Sequence, residues 1–392
     1  MTAINPASSW QVFTAFLILG LTSFGGPVAH LGFFQREFVE RRRWLSADDY
    51  AELVALCQFM PGPASSQVGF AIGLQRAGLP GALAAWLGFT LPSALIMIGC
   101  GAWLVALDPA SYAGAVHGLK LAAAAVVAWA LWGMARSLAP EWRRRLIVVI
   151  AALAALLVSG VVGQLLALAI GAGLALWLVP AQTNLPSNDN SSRLKHRPAL
   201  IALALFVALL LILPLLALSQ DGAGWQIADA MYRAGALVFG GGHVVLPLLH
   251  AETVSTGLIS EDHFLAGYGI AQALPGPLFA FGSLIGTSAG GIGSGLLATL
   301  MIFLPGCLLV LAALPFWQRL RANLRLRRHV AGINAAVVGL LAAALWDPVL
   351  TQAIKHWYDL PAALLVLALL ASGRVPVWFL VPLAGLAGWL LY

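Results

Sequence analysis

Residues 58–67, QFMPGPASSQ, and residues 272–281, QALPGPLFAF, carry the same Pro-Gly-Pro triplet inside an apolar segment, 214 positions apart. Proline has no N–H and its ring clashes with the preceding turn, while glycine removes side-chain restraint, so each triplet should end one helix and let another begin. Backbone broken in this way at membrane depth is tolerated only inside protein or against a water-filled cavity. The surrounding chain is that of a membrane protein. Of its 392 residues 61% are apolar and 9% are charged, against about 25% charged in soluble domains, and mean hydropathy is +0.91. Apolar runs at 84–107, 115–135, 199–218 and 360–372 plus 376–391 approach or exceed the ~20 residues that a helix needs to cross a bilayer. Nothing alternates as barrel strands would, so the expected fold is an all-α polytopic membrane protein.

No basic residue precedes the first apolar stretch and no small-residue cleavage site follows it, so that segment is expected to stay in the mature protein. Cys57, Cys100 and Cys307 stand singly, without metal-ligand spacing, and are expected to be packing residues. The net charge of +6 sits in short loops beside apolar runs, where it reports topology and not nucleic-acid binding. GxSxG, HExxH and GxxxxGK[ST] are absent. No catalytic residue, cofactor or metal is therefore expected, and active transport would have to draw on an ion gradient or the membrane potential.

The triplets belong to a longer repeat. Trp10, Phe24, Gly25, Gly26 and Glu37 recur as Trp225, Phe239, Gly240, Gly241 and Glu252; Ser46, Asp48 and Gln58 recur as Ser260, Asp262 and Gln272; Pro92 recurs as Pro305; Gly118 and Trp132 recur as Gly332 and Trp346. The offset drifts only between 213 and 215, which points to duplication. The expected organisation is a first repeat over 1–180, a polar cytoplasmic linker over 181–198, a connecting transmembrane helix over 199–224 and a second repeat over 225–392.

Loop charges predict that the halves are inverted. Arg41, Arg42 and Arg43 lie in the stretch 36–49, whereas its counterpart 250–263 has no Lys or Arg. The next pair reverses the bias: 107–112 has no basic residue, while 317–329 carries Arg319, Arg321, Arg325, Arg327 and Arg328. A third pair sets Arg136, Arg143, Arg144 and Arg145 against Lys355 alone. Under the positive-inside rule the two halves face opposite ways. Counting crossings between these loops makes the Pro-Gly-Pro segments re-entrant, and the Phe-Gly-Gly segments re-entrant by the same count.

In inverted-repeat transporters such breaks face the substrate, with half-helix N-termini offering N–H groups and a positive dipole end to an anion. The candidate binding residues are Gly25, Gly26, Pro27, Pro61, Gly62 and Pro63 in the first half, and Gly240, Gly241, Gly242, Pro275, Gly276 and Pro277 in the second. The polar residues beside them are His30, Gln58, Ser65, Ser66, Gln67, His243 and Gln272, with Lys120 opposite its repeat partner Asn334. Intramembrane polar groups are costly and therefore informative. Plainer readings stand beside these: glycines for close helix packing, Gln58 and Gln272 as interhelical links, Lys120 snorkelling to a helix end. Glu37 and Glu252 are candidates to carry a coupling proton or to pair with a nearby base. His196, His329 and His356 fall in loops and are expected to be solvated.

The quoted residues are familiar together. SFGGPVAHLGFFQREFVERRRWLS with LCQFMPGPASSQVGFAIG resembles the N-terminal half of the chromate ion transporter family, and FGGGHVVLPLLHAE with GIAQALPGPLFAFGSLIG resembles its C-terminal half. The likeness spans both units and everything outside the linker. It implies a two-domain bacterial inner-membrane protein that exports chromate and confers resistance, with sulfate as the isosteric competitor. Its expected partners are a small oxyanion and lipid, a homodimer being an admissible assembly. His243 departs from the aromatic residue that many members carry there. Import of sulfate or another oxyanion, and an intramembrane enzyme or assembly factor, are the rival readings.

Overall fold

The computed structural model describes residues 8–158, 160–179, 196–219, 222–239 and 245–391. It is helical throughout, with no strand among the described residues. In the first half the helices are α1 (Ser9–Thr22), α2 (Gly26–Phe34), α3 (Ala47–Phe59), α4 (Ala64–Ala106), α5 (Pro109–Leu138), α6 (Trp142–Leu157) and α7 (Gly160–Leu178). Then α8 (His196–Ser219) leads into α9 (Ala223–Leu237), α10 (Val245–Thr253), α11 (Glu261–Ala273), α12 (Phe281–Ala313), α13 (Trp317–Ala322), α14 (Leu324–Ala344), α15 (Thr351–Ala353), α16 (Asp359–Ala371) and α17 (Val377–Leu391). Six of these helical stretches are long and apolar enough to cross a membrane, which makes the chain a multi-pass membrane protein. Most of the polar linker expected at 181–198, and residues 240–244, lie outside the described residues.

Local chemistry sets the helix starts and stops. Ser46 caps α3 by accepting the Asp49 N–H, and its repeat partner Ser260 caps α11 by accepting the His263 N–H. Both helices stop at the Pro-Gly-Pro triplets, as proline demands. Each triplet glycine has positive φ, 122° at Gly62 and 92° at Gly276, a conformation that side chains resist.

Two long helices fold back on themselves, a feature that hydropathy alone does not expose. As a straight rod the 43 residues of α4 would run about 65 Å, twice the ~30 Å hydrocarbon core. The helix instead breaks at Ala77 and Gly78, and its two limbs meet so closely that a Cβ on Gly73 would lie 2.3 Å from the Gly81 carbonyl oxygen. In the second half α12 breaks at Gly290 and Gly291, its limbs meeting where Gly286 faces the Ser294 carbonyl.

The doubled limbs of α4 and α12 pack on one another at the centre, with α1 against α4 and α9 against α12. Further out the halves exchange their hairpins. Helices α6 and α7 pack on α14 of the second half, and α16 and α17 pack on α5 of the first. Gly118 lies against the Ala384 carbonyl and Gly388, and its repeat partner Gly332 lies against the Gly171 carbonyl and Ala175.

One loop reading changes. The basic stretch 317–329 is largely helical, holding α13 and the start of α14. His329 is thus half-buried on α14, its Nδ1 2.9 Å from the Ala172 carbonyl oxygen, and not solvated as expected. His356 is exposed, stacked on Tyr358, and the side chain of His196 lies outside the description.

Candidate functional site

Each Pro-Gly-Pro turn is seated on the opposite half. The Gly62 N–H donates to the Val238 carbonyl at 2.6 Å, and the Gly276 N–H donates to the Ser23 carbonyl at 3.0 Å. Ser23 and Val238 are themselves repeat partners, each two residues before its Phe-Gly-Gly glycines. The other face of each turn is reciprocal too. A Cβ on Gly62 would lie 3.2 Å from the Cα of Gly306, and one on Gly276 would lie 3.3 Å from the Cβ of Ser93, Ser93 and Gly306 again being repeat partners beside Pro92 and Pro305. The amides of Gly62 and Gly276, expected to face a ligand, are struts that lock the halves together. Free helix-start donors lie one step on, at Ala64, Ser65 and Ser66, because α4 has no side-chain cap at its N-cap Pro63.

The first-half polar residues gather around this junction. Gly25 lies at the left-handed N-cap of α2, with Gly26 and Pro27 in its first turn. From α2 the buried His30 places Nδ1 3.4 Å from the Ser65 hydroxyl and its ring 5.2 Å from that of Phe89. Gln67 is buried and donates from Nε2 to the carbonyls of Pro61 at 2.8 Å and Gly306 at 3.3 Å. Ser93, which the sequence reading did not single out, donates to the Thr90 carbonyl at 3.1 Å. Several side-chain atoms here are buried with no hydrogen-bond partner: Ser23 Oγ, His30 Nε2, Ser66 Oγ, Gln67 Oε1 and Thr90 Oγ1. Buried polar groups are overwhelmingly paired, so a cluster left open marks a place built to receive something.

The remaining candidates lie elsewhere. Gln58 is exposed, and Gln272 is half-buried with a side-chain hydrogen bond to Tyr268. Lys120 is buried on α5 and bonded to Asp262 of α11. Asn334 is half-buried with Oδ1 unpartnered. Pro275 and Pro277 flank the Gly276 turn, whereas Gly240, Gly241, Gly242 and His243 lie outside the described residues.

The two carboxylate candidates differ. Glu37, on the π-helical turn Gln35–Arg41 after α2, is bound by Arg41 at 3.0 Å and Arg42 at 2.5 Å. Partial burial pushes its pKa up, but the two guanidinium groups outweigh it and hold the group below its ordinary value. Glu252, at the end of α10 and outside the candidate spans, is buried and meets Arg233 at 2.8 Å. Arg233 also binds Asp229 at 2.7 Å. Burial lifts the pKa of Glu252 to about 7, with Arg233 opposing the rise and the Asp229 charge adding to it. These three residues line a cavity of about 330 Å³ with Gln226, Thr256 and the α8 residues Pro214 and Leu218.

Known proteins match this chain along nearly its whole length. The chain is 30% identical to the chromate transport protein of Pseudomonas aeruginosa over 411 residues, covering 100% of this chain and 94% of that one. It is 28% identical over 394 residues to a probable chromate transport protein of Synechococcus elongatus, covering 98% and 96%, and 26% identical over 363 residues to the chromate transport protein of Cupriavidus metallidurans, covering 92% and 86%. No solved structure matches. The chromate transporter family model matches twice, over residues 10–177 and 225–389, and the chain belongs to that family.

Proposed function

We propose that this protein is a secondary transporter carrying chromate out of the cytoplasm across the bacterial inner membrane, through a site at the junction of two inverted halves that opens alternately to either face. The substrate rests on the relatives named above, which are described as chromate transport proteins. The observation that carries the mechanism is the reciprocal seating of Gly62 on Val238 and Gly276 on Ser23. Contacts in which i meets j′ while i′ meets j support a two-fold relation, and the opposite loop charges support an axis in the membrane plane. In this arrangement the breaks of both halves meet near mid-membrane, where rocking one half against the other exposes the site to each side in turn.

Direction follows from charge. A dianion leaving a cytoplasm at negative potential is driven outward by about 2.3 kcal/mol per charge per 100 mV. Glu252, buried and sharing one guanidinium with Asp229, is the acid assigned to carry a coupling proton. Glu37, held by two arginines, is not.

Flux into inside-out vesicles carrying the purified protein, with labelled chromate and with sulfate as competitor, tests the reading. Chromate accumulation above that of protein-free vesicles is expected. Movement of neither anion defeats the proposal, and sulfate movement without chromate replaces the substrate. A deletion strain that loses sulfate uptake without gaining chromate sensitivity reverses the direction.

A further inference from the structure

The repeat register exposes a one-sided chemistry at the junction. Ser23, His30, Ser65, Ser66, Gln67 and Thr90 of the first half correspond to Val238, Val245, Phe279, Ala280, Phe281 and Phe303 of the second. All twelve are buried. Burial is therefore equal on the two sides and polarity alone differs. The partner atoms that would satisfy the first-half groups are missing: Ser23 Oγ, His30 Nε2, Ser66 Oγ, Gln67 Oε1 and Thr90 Oγ1 have none. An unpaired polar atom held away from water destabilises the fold, and here five of them come from one repeat and none from the positions matching them.

We propose that the substrate site is built from the side chains of the first half alone, as a nest of neutral hydrogen-bond donors for one tetrahedral oxyanion, with the second half contributing its backbone and an apolar wall. The proposal rests on the transport reading above and names the site that reading leaves open. The hydroxyls of Ser23, Ser66 and Thr90 can all donate. His30 borders them, its Nδ1 3.4 Å from the Ser65 hydroxyl and its ring hydrogen-bonded to the Ser23 backbone. The uncapped start of α4 adds the N–H groups of Ser65 and Ser66 and the positive end of a helix dipole. Three hydroxyls that can turn their protons inward, beside backbone N–H groups at a positive helix end, suit a small multi-oxygen anion, with Gln67 Oε1 the one atom among them that can only accept. Lys120, the buried cation nearest in kind, is engaged by Asp262, so the anion is met by dipoles and not by a counter-charge. Neutral donors bind a dianion without trapping it, which suits a carrier that must also release.

Two buried hydroxyls of the second half, those of Ser283 and Thr299, are satisfied internally. The hydroxyls of Ser283 and Thr299 lie 2.6 Å apart, and Thr299 donates to the Gly295 carbonyl. They supply the control. Equilibrium binding of labelled chromate to the full-length protein in lipid nanodiscs should weaken by at least about tenfold in Thr90→Val and in Ser23→Ala, the scale of one lost hydrogen bond to a charged group. Thr90→Ser should recover most of the affinity, and Thr299→Val should change it by less than about twofold. Thermal midpoints of the same samples separate lost binding from lost folding, and Thr90→Ser keeps the test alive should Thr90→Val misfold. Wild-type binding in Thr90→Val and Ser23→Ala, or equal losses in Thr299→Val, overturns the one-sided site while chromate flux in the parent protein leaves the transport reading standing. Absence of both binding and flux in the parent overturns the transport reading and this site with it.

Discussion

Glu37 and Glu252 occupy the same position in the two repeats and live under opposite charge balances. At Glu37 one carboxylate meets two guanidinium groups, Arg41 and Arg42, and the Arg41 side chain is 72% exposed. At Glu252 two carboxylates, its own and that of Asp229, meet the single guanidinium of Arg233, and both acids are buried. The difference arises from four positions, since Arg41 and Arg42 have Thr256 and Gly257 as their counterparts in the second half. Asp229 and Arg233 of α9 have Thr14 and Ile18 as their repeat partners on α1, so the cluster exists in one half only. The two halves thus share backbone contacts, down to reciprocal hydrogen bonds, while their side-chain chemistry differs: unpartnered polar groups in the first half, a crowded acid cluster in the second.

The sharpest way to break that contrast is to remove the shared base. Arg233→Leu leaves Asp229 and Glu252 buried and unpaired, and loss of one partner from a buried ion cluster costs about 3–5 kcal/mol. A large drop in the thermal midpoint of the solubilised protein is expected, and the triple variant with Asp229→Asn and Glu252→Gln should recover most of it. An Arg233→Leu protein as stable as the parent would show that the acids are not buried as charges at all.

Much of this architecture is legible in the sequence, and what is not has identifiable causes. The triplets at 61–63 and 275–277 announce helix ends because two prolines and a glycine stand together there, whereas single prolines such as Pro92 and Pro305 stay inside α4 and α12, and Ser46 and Ser260 mark the starts of α3 and α11 by cap chemistry. The hairpin turns at Ala77/Gly78 and Gly290/Gly291 are hidden, since a glycine in an apolar run looks the same whether it packs or bends. The exchange of outer hairpins between halves is a tertiary fact with no local signature. Thr90, Ser93 and Ser23 pass unnoticed as single hydroxyls and become informative only when set against Phe303, Gly306 and Val238. Asp229 and Arg233, four apart on one helix, are a readable acid–base pair, but one that loop-charge counting passes over.

Glu252→Gln should have a smaller effect than loss of Arg233, because it leaves Asp229 and Arg233 as a balanced pair. Its signature is in pH. With the carboxyl raised to about 7 by burial first of all, the folded protein retains a proton that the unfolded chain has already released, across the window from about 4.5 to 7. The Glu252 contribution to stability therefore falls as pH rises through that window, and the glutamine variant loses that contribution. The groups facing Glu252 across the cavity are Arg233 and Asp229 of α9, together with the neutral Gln226 and Thr256; the α8 residues there, Pro214, Ala217 and Leu218, carry no charge. Thermal midpoints measured from pH 4.5 to 8 decide the point. A slope unchanged in Glu252→Gln would move the titrating group elsewhere.

The smallest effect is predicted at the matching residue of the first half. Glu37→Gln removes a carboxylate with one exposed partner, Arg41, and one partly buried partner, Arg42, and pairs reached by solvent contribute about 1 kcal/mol. The surplus of positive charge that remains is shared with Trp44, over whose ring the guanidinium groups of Arg42 and Arg76 lie at 5.3 and 5.1 Å, so the turn keeps its packing. Because the two arginines hold the Glu37 carboxyl below its ordinary value, it stays ionised throughout the range in which Glu252 titrates. The stabilising contribution of that depressed pKa is present above the unfolded value and is lost only as pH falls through the folded one, so Glu37→Gln should leave the profile between pH 5.5 and 8 parallel to that of the parent. Vesicle flux over the same range should stay pH-dependent in Glu37→Gln and become flat in Glu252→Gln. The reverse outcome would place the coupling acid in the first half, beside the donors and not opposite them.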